Sequence, residues 1–134
     1  MSPVSQDRPI VALVDDEEPV RRALKRLMVS AGISVESFAS GSEFLESLAE
    51  RRPDCVVLDL HMPGVSGFDV QARLAQSRDS PPVVVITGQD TPESRRRVMD
   101  GGAAAFLRKP VIDHVLLDAI AAAIGTKARD DLKT

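Results

Sequence analysis

Short apolar runs alternate with longer amphipathic stretches along most of this chain. Residues 10–14 (IVALV), 55–60 (CVVLDL) and 83–87 (VVVIT) are almost continuously apolar, and residues 33–38 (ISVESF) and 104–108 (AAFLR) are mixed runs of similar length. Such lengths suit β-strands, and continuous apolar strands are typical of parallel sheets covered by helices on both faces. The alternation predicts five βα units in a doubly wound α/β fold.

The stretches between these runs carry helical periodicity and helix-end signals. Ser40 opens an S-x-x-E capping box, Thr91 followed by Pro92 marks another helix start, and Gly101 and Gly125 are the expected ends of the last two helices. The first helix has an apolar stripe at helical spacing, formed by Val20, Leu24, Leu27, Met28 and Ala31. The inward face of the last helix is predicted to be Val115, Leu116, Ala119, Ile120, Ala123 and Ile124.

Length and composition limit the domain organisation. The 134 residues suit one domain, which we place at residues 9–125, with polar tails at 1–8 and 126–134. Hydrophobic residues make up 43% and charged residues 28%, as in ordinary globular proteins. No apolar run reaches the length of a membrane span, and the N-terminus lacks the apolar core of a secretory signal, so we expect a cytoplasmic location and no membrane partner.

Charge and rare residues exclude further classes. The net charge of −3 does not favour binding to a phosphate backbone, and the absence of Trp and Tyr removes the stacking platforms of single-strand binders. We therefore expect no direct contact between this domain and nucleic acid. The single cysteine, Cys55, lies in an apolar run and is predicted to be a buried thiol.

Polar residues with chemical potential fall where the predicted strands end. Asp15 and Asp16 follow the first strand, Asp59 lies near the end of the third, Thr87 ends the fourth, and Lys109 follows the fifth. In open parallel sheets, loops at the carboxyl ends of the strands form the ligand site. Each residue alone has an ordinary structural explanation, such as a helix-capping turn or a surface charge. Their common edge instead indicates a site.

Three converging carboxylates need cations, because like charges raise one another's pKa. Lys109 and a divalent ion would neutralise them. Mg²⁺ uses one or two carboxylates, keeps several waters and accepts phosphate oxygens, which suits an open acidic site. His61 and His114 lie far apart in the sequence and have no zinc-ligand spacing around them.

Several ordered motifs resemble those of the bacterial response-regulator receiver domains, a CheY-like family. They are VDDEEPVRRAL, VVLDLHMPGVSG, VITGQD and GAAAFLRKP, and they extend over about residues 9–125. The first motif, MPGVSG and ITG are closest to the FixJ-type regulators. The resemblance implies a flavodoxin-like fold with five parallel strands in the order 2-1-3-4-5 and five helices on both faces.

The resemblance also implies residue roles. Asp59 matches the phosphoacceptor, and Asp15 and Asp16 match the acidic pair that, with Asp59 and the backbone carbonyl of His61, holds Mg²⁺ or Mn²⁺. Thr87 matches the hydroxyl residue that binds the phosphoryl group, and Lys109 matches the conserved cation of the site. Phe106 matches the switch aromatic, here without a hydroxyl, and the Lys109–Pro110 peptide matches a cis bond.

The family's function implies the partners. A sensor histidine kinase or phosphotransfer protein would phosphorylate Asp59, and the resulting switch would control transcription through an output domain or partner. Phosphorylation would favour a homodimer through helix 4, strand 5 and helix 5, around Val98, Met99 and Phe106. In relatives, the positions of His61 and Gln89 flank the path of the water that hydrolyses the acyl phosphate.

Other functions on the same residues stay open at this point. A phosphatase of the haloacid-dehalogenase type would place a second Asp two residues after the nucleophile, where this chain has His61. A flavin or nucleotide binder would have a glycine- or Ser/Thr-rich loop after strand one in place of DDEEP. An interaction module that keeps the receiver fold without using phosphorylation is the main alternative. We expect a signalling switch and not an enzyme that turns over an external substrate.

Overall fold

The computed structural model describes residues 8–133 of the chain, and the side chains as far as residue 126. Within that part, five strands alternate with five helices. The strands are β1 (Ile10–Val14), β2 (Ser34–Phe38), β3 (Cys55–Asp59), β4 (Val83–Thr87) and β5 (Ala105–Arg108). The helices are α1 (Glu18–Ser30), α2 (Gly41–Ser47), α3 (Gly67–Leu74), α4 (Pro92–Asp100) and α5 (Asp113–Lys133).

The strands form one parallel sheet in the order β2-β1-β3-β4-β5, which confirms the predicted flavodoxin-like topology. Val14 pairs with both Phe38 and Leu58, and Asp59 pairs with Ile86. This register aligns the carboxyl ends of the strands. Polar residues that follow different strands therefore meet at one edge, although they are far apart in sequence.

Alternation of side chains along the strands produces two separate apolar clusters. On one face, Val14, Val56, Leu58 and Val85 pack with residues of α2, α3 and α4, including Phe44 and Val98. On the other face, Leu13, Val57 and Ile86 pack with α1 and α5 through Leu24, Met28, Leu116 and Ile120. The sheet is thus covered on both faces, which explains why β1, β3 and β4 are almost wholly apolar.

Both predicted helix starts are confirmed. Ser40 and Thr91 cap α2 and α4 by accepting hydrogen bonds from the backbone amides of Glu43 and Ser94, and Gly101 is the C-cap of α4. The start of α3, which the apolar pattern did not locate, is a full capping box between Ser66 and Asp69.

The expected end of α5 at Gly125 is wrong, because this helix continues to Lys133. A glycine inside a helix costs only about 1 kcal/mol relative to alanine, so flanking residues that favour a helix can carry it through. The expected tail at 126–134 is therefore helical as far as Lys133, and residue 134 and residues 1–7 lie outside the described part. Val115 is 36% exposed and Ala31 lies beyond the end of α1, so neither completes its predicted apolar face.

In the described part of the chain, no helix has both the length and the apolar character required to cross a membrane.

Candidate functional site

The strand ends gather the predicted acidic residues in one place. The amide of Asp15 donates to the Phe38 carbonyl at 3.1 Å, which continues the β1–β2 pairing by one residue. Carboxylate oxygens of Asp15, Asp16 and Asp59 lie within 4.8 Å of one another. Asp15 and Asp59 are buried, and Asp16 is exposed. The sequence predicted this cluster correctly.

Lys109 binds the buried part of the cluster. Its amide donates to the Thr87 carbonyl at 2.8 Å, which fixes the start of its side chain beside β4. Its Nζ lies 2.9 Å from Asp15 Oδ2 and 3.3 Å from Asp59 Oδ1. It also lies 3.1 Å from Glu17 Oε1, a contact that spans 92 positions of sequence. One ammonium group therefore contacts three carboxylates and neutralises only part of their charge.

Local hydrogen bonds orient Asp15. Its Oδ1 accepts from the Glu17 amide at 2.9 Å, and its backbone carbonyl accepts from Arg21 Nη1 at 2.7 Å. The second oxygen, Oδ2, is buried and has only the ion pair with Lys109, without a hydrogen bond of acceptable geometry among the described residues. A buried carboxylate oxygen with spare capacity is suited to a cation.

A glycine allows α3 to approach the end of β3. The Gly67 amide donates to the Leu60 carbonyl at 2.9 Å. A Cβ atom added to Gly67 would lie 2.5 Å from the Asp59 carbonyl oxygen and 2.7 Å from the Leu60 Cα. Because both contacts are with backbone, any larger residue would have to displace the strand end that carries Asp59.

Burial raises the pKa of Asp59 from 3.8 to about 7, and the negative charge of Asp15 adds to this rise, while Lys109 opposes it. The Asp59 carboxyl therefore has a much weaker preference for its ionised form than an exposed carboxyl has. A further cation beside it would restore that preference.

Lys109 responds in the opposite way. Burial alone would lower its pKa, but its contacts with Asp15, Asp59 and Glu17 outweigh burial and raise the pKa above its usual value. The lysine is therefore firmly charged at neutral pH. One positive charge still leaves the cluster of Asp15, Asp16 and Asp59 negative, and the donors are all oxygens, so the cluster fits Mg²⁺ or Mn²⁺ better than a softer metal.

Thr87 lies at the same edge, fully buried at the end of β4. Its Oγ1 accepts from the Gln89 amide at 3.0 Å and donates to the Gln89 carbonyl at 3.3 Å. Phe106 is 7% exposed and packs in the α2, α3 and α4 cluster. The Lys109–Pro110 peptide is cis, as the resemblance implied.

Aromatic and arginine side chains extend from this edge along α4. The exposed His61 meets the Phe68 ring edge to face, with centroids 6.1 Å apart. The guanidinium of Arg97 lies 3.9 Å from the Phe68 centroid, and that of Arg95 lies 4.6 Å from the Phe106 centroid. These stacks link the site to the neighbouring helix.

Sequence reasoning missed Glu17, Arg21 and the two stacked arginines. Glu17 and Arg21 lie beside Asp15 in the chain, but their partners are set by how α1 leaves the sheet, which periodicity does not specify. The sequence shows three consecutive arginines at positions 95–97, but it does not show which of them stack on aromatic rings. The contacts of Arg95 and Arg97 with phenylalanines depend on the packing of α4.

Fold and site together define a doubly wound α/β domain with an acidic, lysine-neutralised cluster at the carboxyl edge of its sheet. Residues 11–121 match the family model of the response regulator receiver domain. The chain belongs to this family, which receives phosphorylation signals in two-component systems.

Similar proteins agree with this assignment. Nodulation protein W of Bradyrhizobium diazoefficiens is 42% identical over 114 residues, a match covering 85% of this chain and 50% of that protein. The crystal structure of a response regulator receiver protein from Burkholderia phymatum is 41% identical, with a TM-score of 0.79 over 88% of this chain and 96% of that one. FixJ-N is 34% identical, with a TM-score of 0.82 over 89% and 95% of the two chains.

The chain spans about half of the length of two curated relatives, Nodulation protein W and the response regulator TodT of Pseudomonas putida, and 16% of the sensory/regulatory protein RpfC of Xanthomonas campestris. Receiver domains therefore occur within longer proteins of more than one kind.

Proposed function

We propose that Asp59 accepts a phosphoryl group from a sensor histidine kinase or a phosphotransfer protein. The observation that carries this proposal is the contact of one lysine, Lys109, with Asp59 and Asp15 at the carboxyl edge of the sheet. Asp59 has this cation and two further acids in reach and, unlike Asp15, is itself the last residue of a strand, the central β3. An oxygen of Asp59 attacks the phosphorus of a phosphohistidine, the P–N bond breaks, and the imidazole leaves with a proton.

The residues around Asp59 suit phosphoryl transfer, which needs positioning and charge stabilisation more than acid or base catalysis. Lys109 stabilises negative charge on the transferred group, and the Thr87 hydroxyl exchanges its bond with Gln89 for one with a phosphoryl oxygen. A divalent cation, Mg²⁺ or Mn²⁺, would be held by Asp15, Asp16, Asp59 and the His61 carbonyl and supplies charge neutralisation at the phosphoryl oxygens.

Water resets the switch. It attacks the phosphorus of the aspartyl phosphate, the P–O bond to Asp59 breaks, and phosphate and the free carboxylate are released. The domain therefore promotes its own phosphorylation and dephosphorylation and is not an enzyme that turns over an external substrate. The phosphohistidine donor receives its phosphoryl group from ATP. We therefore propose a cytoplasmic location.

The signal is read by an output domain or partner that controls transcription. The match to this chain covers only about half of Nodulation protein W and of TodT, which supports an output domain joined to a receiver domain. We further propose that phosphorylated domains associate through α4, β5 and α5. Of the three residues expected at the centre of that surface, Val98 and Phe106 are buried, and Met99 is 42% exposed. Because Val98 and Phe106 are buried, Met99 is the residue of these three that we propose as an apolar contact between the two domains.

Intact mass spectrometry tests the proposal. The chain is incubated with Mg²⁺ and acetyl phosphate, and we expect a gain of about 80 Da, the mass of one phosphoryl group. The gain should be absent in Asp59→Asn and retained in Asp54→Asn, which makes the same change just before the opposite end of β3. An unmodified parent chain would favour the phosphorylation-independent interaction module.

A further inference from the structure

Arg95 is the α4 residue that touches both the loop after β4 and the aromatic residue of β5. Its Nη2 donates to Asp90 Oδ2 at 2.9 Å, and its guanidinium lies over the Phe106 ring, 4.6 Å from the centroid. Arg95 is three residues before the buried Val98, which packs in the same cluster as Phe106. Residues at this spacing share a helix face, so Arg95 lies on the side of α4 that faces the core containing the ring.

The loop contact leads back to the site. Asp90 directly follows Gln89, whose amide and carbonyl both bond to the Thr87 hydroxyl. The side chain of Asp90 is only 19% exposed, so its position depends on the path of this loop. The path of the loop that carries Thr87 therefore positions the carboxylate that anchors Arg95.

The ring contact acts on Phe106. A guanidinium over the face of a phenyl ring is held by the ring quadrupole. Phe106 has no hydroxyl through which a hydrogen bond could fix its direction, so packing and this stack determine it. To swing outward, the ring must lose Arg95 or displace it from Asp90.

We propose that Arg95 is a positioning residue that holds Phe106 inward and ties this orientation to the loop carrying Thr87. Only the regulatory consequence of this role rests on the phosphorylation of Asp59. Before phosphorylation, Arg95 sets the fraction of molecules in which Phe106 is inward. A cation–π contact at a partly exposed site changes such an equilibrium by roughly two- to fivefold. Arg95 therefore biases the switch and does not lock it.

Fluorine NMR can observe this ring directly. The chain has four phenylalanines, so labelling with 4-fluorophenylalanine produces four resonances, and Phe106→Leu identifies the one of interest. We expect Arg95→Gln to move the Phe106 resonance towards the solvent-exposed position and to raise its sensitivity to replacement of H₂O by D₂O. Asp90→Asn should shift it in the same direction but less. Arg96→Gln, an exposed neighbour on α4, should leave it unchanged.

Adding Mg²⁺ and beryllofluoride separates the two proposals. This addition should move the Phe106 resonance towards its inward position. The shift should be larger in Arg95→Gln than in the parent, because the inward-to-outward ratio before the addition is roughly two- to fivefold lower in that variant. A Phe106 resonance that is identical in the parent and Arg95→Gln before any addition would overturn the role of Arg95. If beryllofluoride shifts neither protein, the phosphorylation proposal fails, whereas the comparison without it still decides the role of Arg95. Far-ultraviolet circular dichroism checks that each variant is folded.

Discussion

Asp59 must satisfy two opposed requirements. As the proposed phosphoacceptor it has to be ionised, yet burial and the neighbouring Asp15 favour its protonated form and bring its pKa to about 7. Lys109 alone does not remove this conflict, because it is shared with Asp15 and Glu17. A bound divalent cation would remove it, so metal binding and nucleophile activation are two aspects of the same electrostatic balance.

The raised pKa predicts how stability depends on pH. Because the folded state binds the Asp59 proton more tightly than the unfolded chain, this group's stabilisation is fully present below about pH 4 and is lost as the pH rises through about 7. Asp59→Asn should therefore be more stable than the parent at pH 8, by on the order of 1 to 3 kcal/mol, with little difference near pH 4.

Urea unfolding of the parent and Asp59→Asn at several pH values measures this difference. Saturating Mg²⁺ should reduce it by stabilising the parent more than the variant, which lacks one charged ligand. A stability difference that stays constant from about pH 4 to about pH 8 would contradict the assigned shift.

Asp16 is the exposed member of the cluster, whereas Asp15 and Asp59 are buried and paired with Lys109. Asp16→Ala should therefore leave the fold intact and weaken Mg²⁺ binding by roughly tenfold or more, since a charged oxygen ligand is lost. Calorimetric titration measures the affinity, and the mass assay should show lost phosphorylation. Glu18→Ala, two residues along on α1, is the control and should bind Mg²⁺ normally. Unchanged affinity in Asp16→Ala would remove this residue from the metal site.

At the scale of elements, the pattern of apolar residues predicted the positions of the strands. The five strands were located to within one residue of their observed ends, because apolar runs are required on both faces of the sheet. The convergence of Asp15, Asp16, Asp59 and Lys109 at one edge was expected because strand order brings strand ends together, and the structure places them there. Contacts that depend on helix orientation, such as Lys109 with Glu17 or Arg95 with Phe106, have no periodic signal and were not foreseen.

Helix α5 offers a prediction about the glycine that does not end it. Gly125 lies inside the helix, and a Cβ added there would meet nothing within 4 Å. Gly125→Ala should therefore stabilise the protein by about 0.5 to 1 kcal/mol, because alanine loses less backbone entropy in a helix. Thermal unfolding is the measurement. The control Gly102→Ala should destabilise, since Gly102 has a φ of +98°. A lower melting temperature for Gly125→Ala would show that the helix does not pass through this position.

The contact between the β3–α3 loop and α3 predicts an effect on phosphoryl lifetime. His61 rests edge to face on Phe68, which Arg97 covers from α4. If His61 influences the attacking water, Phe68→Leu should change the dephosphorylation rate in the same direction as His61→Ala, because it removes the support of the imidazole. The two changes should be non-additive in the double variant. Equal lifetimes in the parent and His61→Ala would leave the imidazole without a chemical role.

At the scale of the whole molecule, association is expected to depend on one face. Met99 on α4 and Val29 on α1 are similarly exposed, at 42% and 48%, but on helices that cover opposite faces of the sheet. With Mg²⁺ and beryllofluoride, sedimentation velocity should show a dimer for the parent and for Val29→Asp, and a monomer for Met99→Asp. Buried charge at an apolar contact is unfavourable, which is the reason for this difference. Dimers in all three proteins would exclude the α4 surface.

Substitutions in the two apolar clusters are expected to have different consequences. Phe106 shares its cluster with Leu58 and Leu60, the neighbours of Asp59, so a substitution there alters stability and signalling together. The α1 and α5 cluster contains none of the proposed switch residues. Selection can therefore adjust thermal stability through Leu24 or Met28 of α1 while the signalling equilibrium is preserved. Related receivers that adapt to different growth temperatures are expected to accumulate their core substitutions mainly on that face.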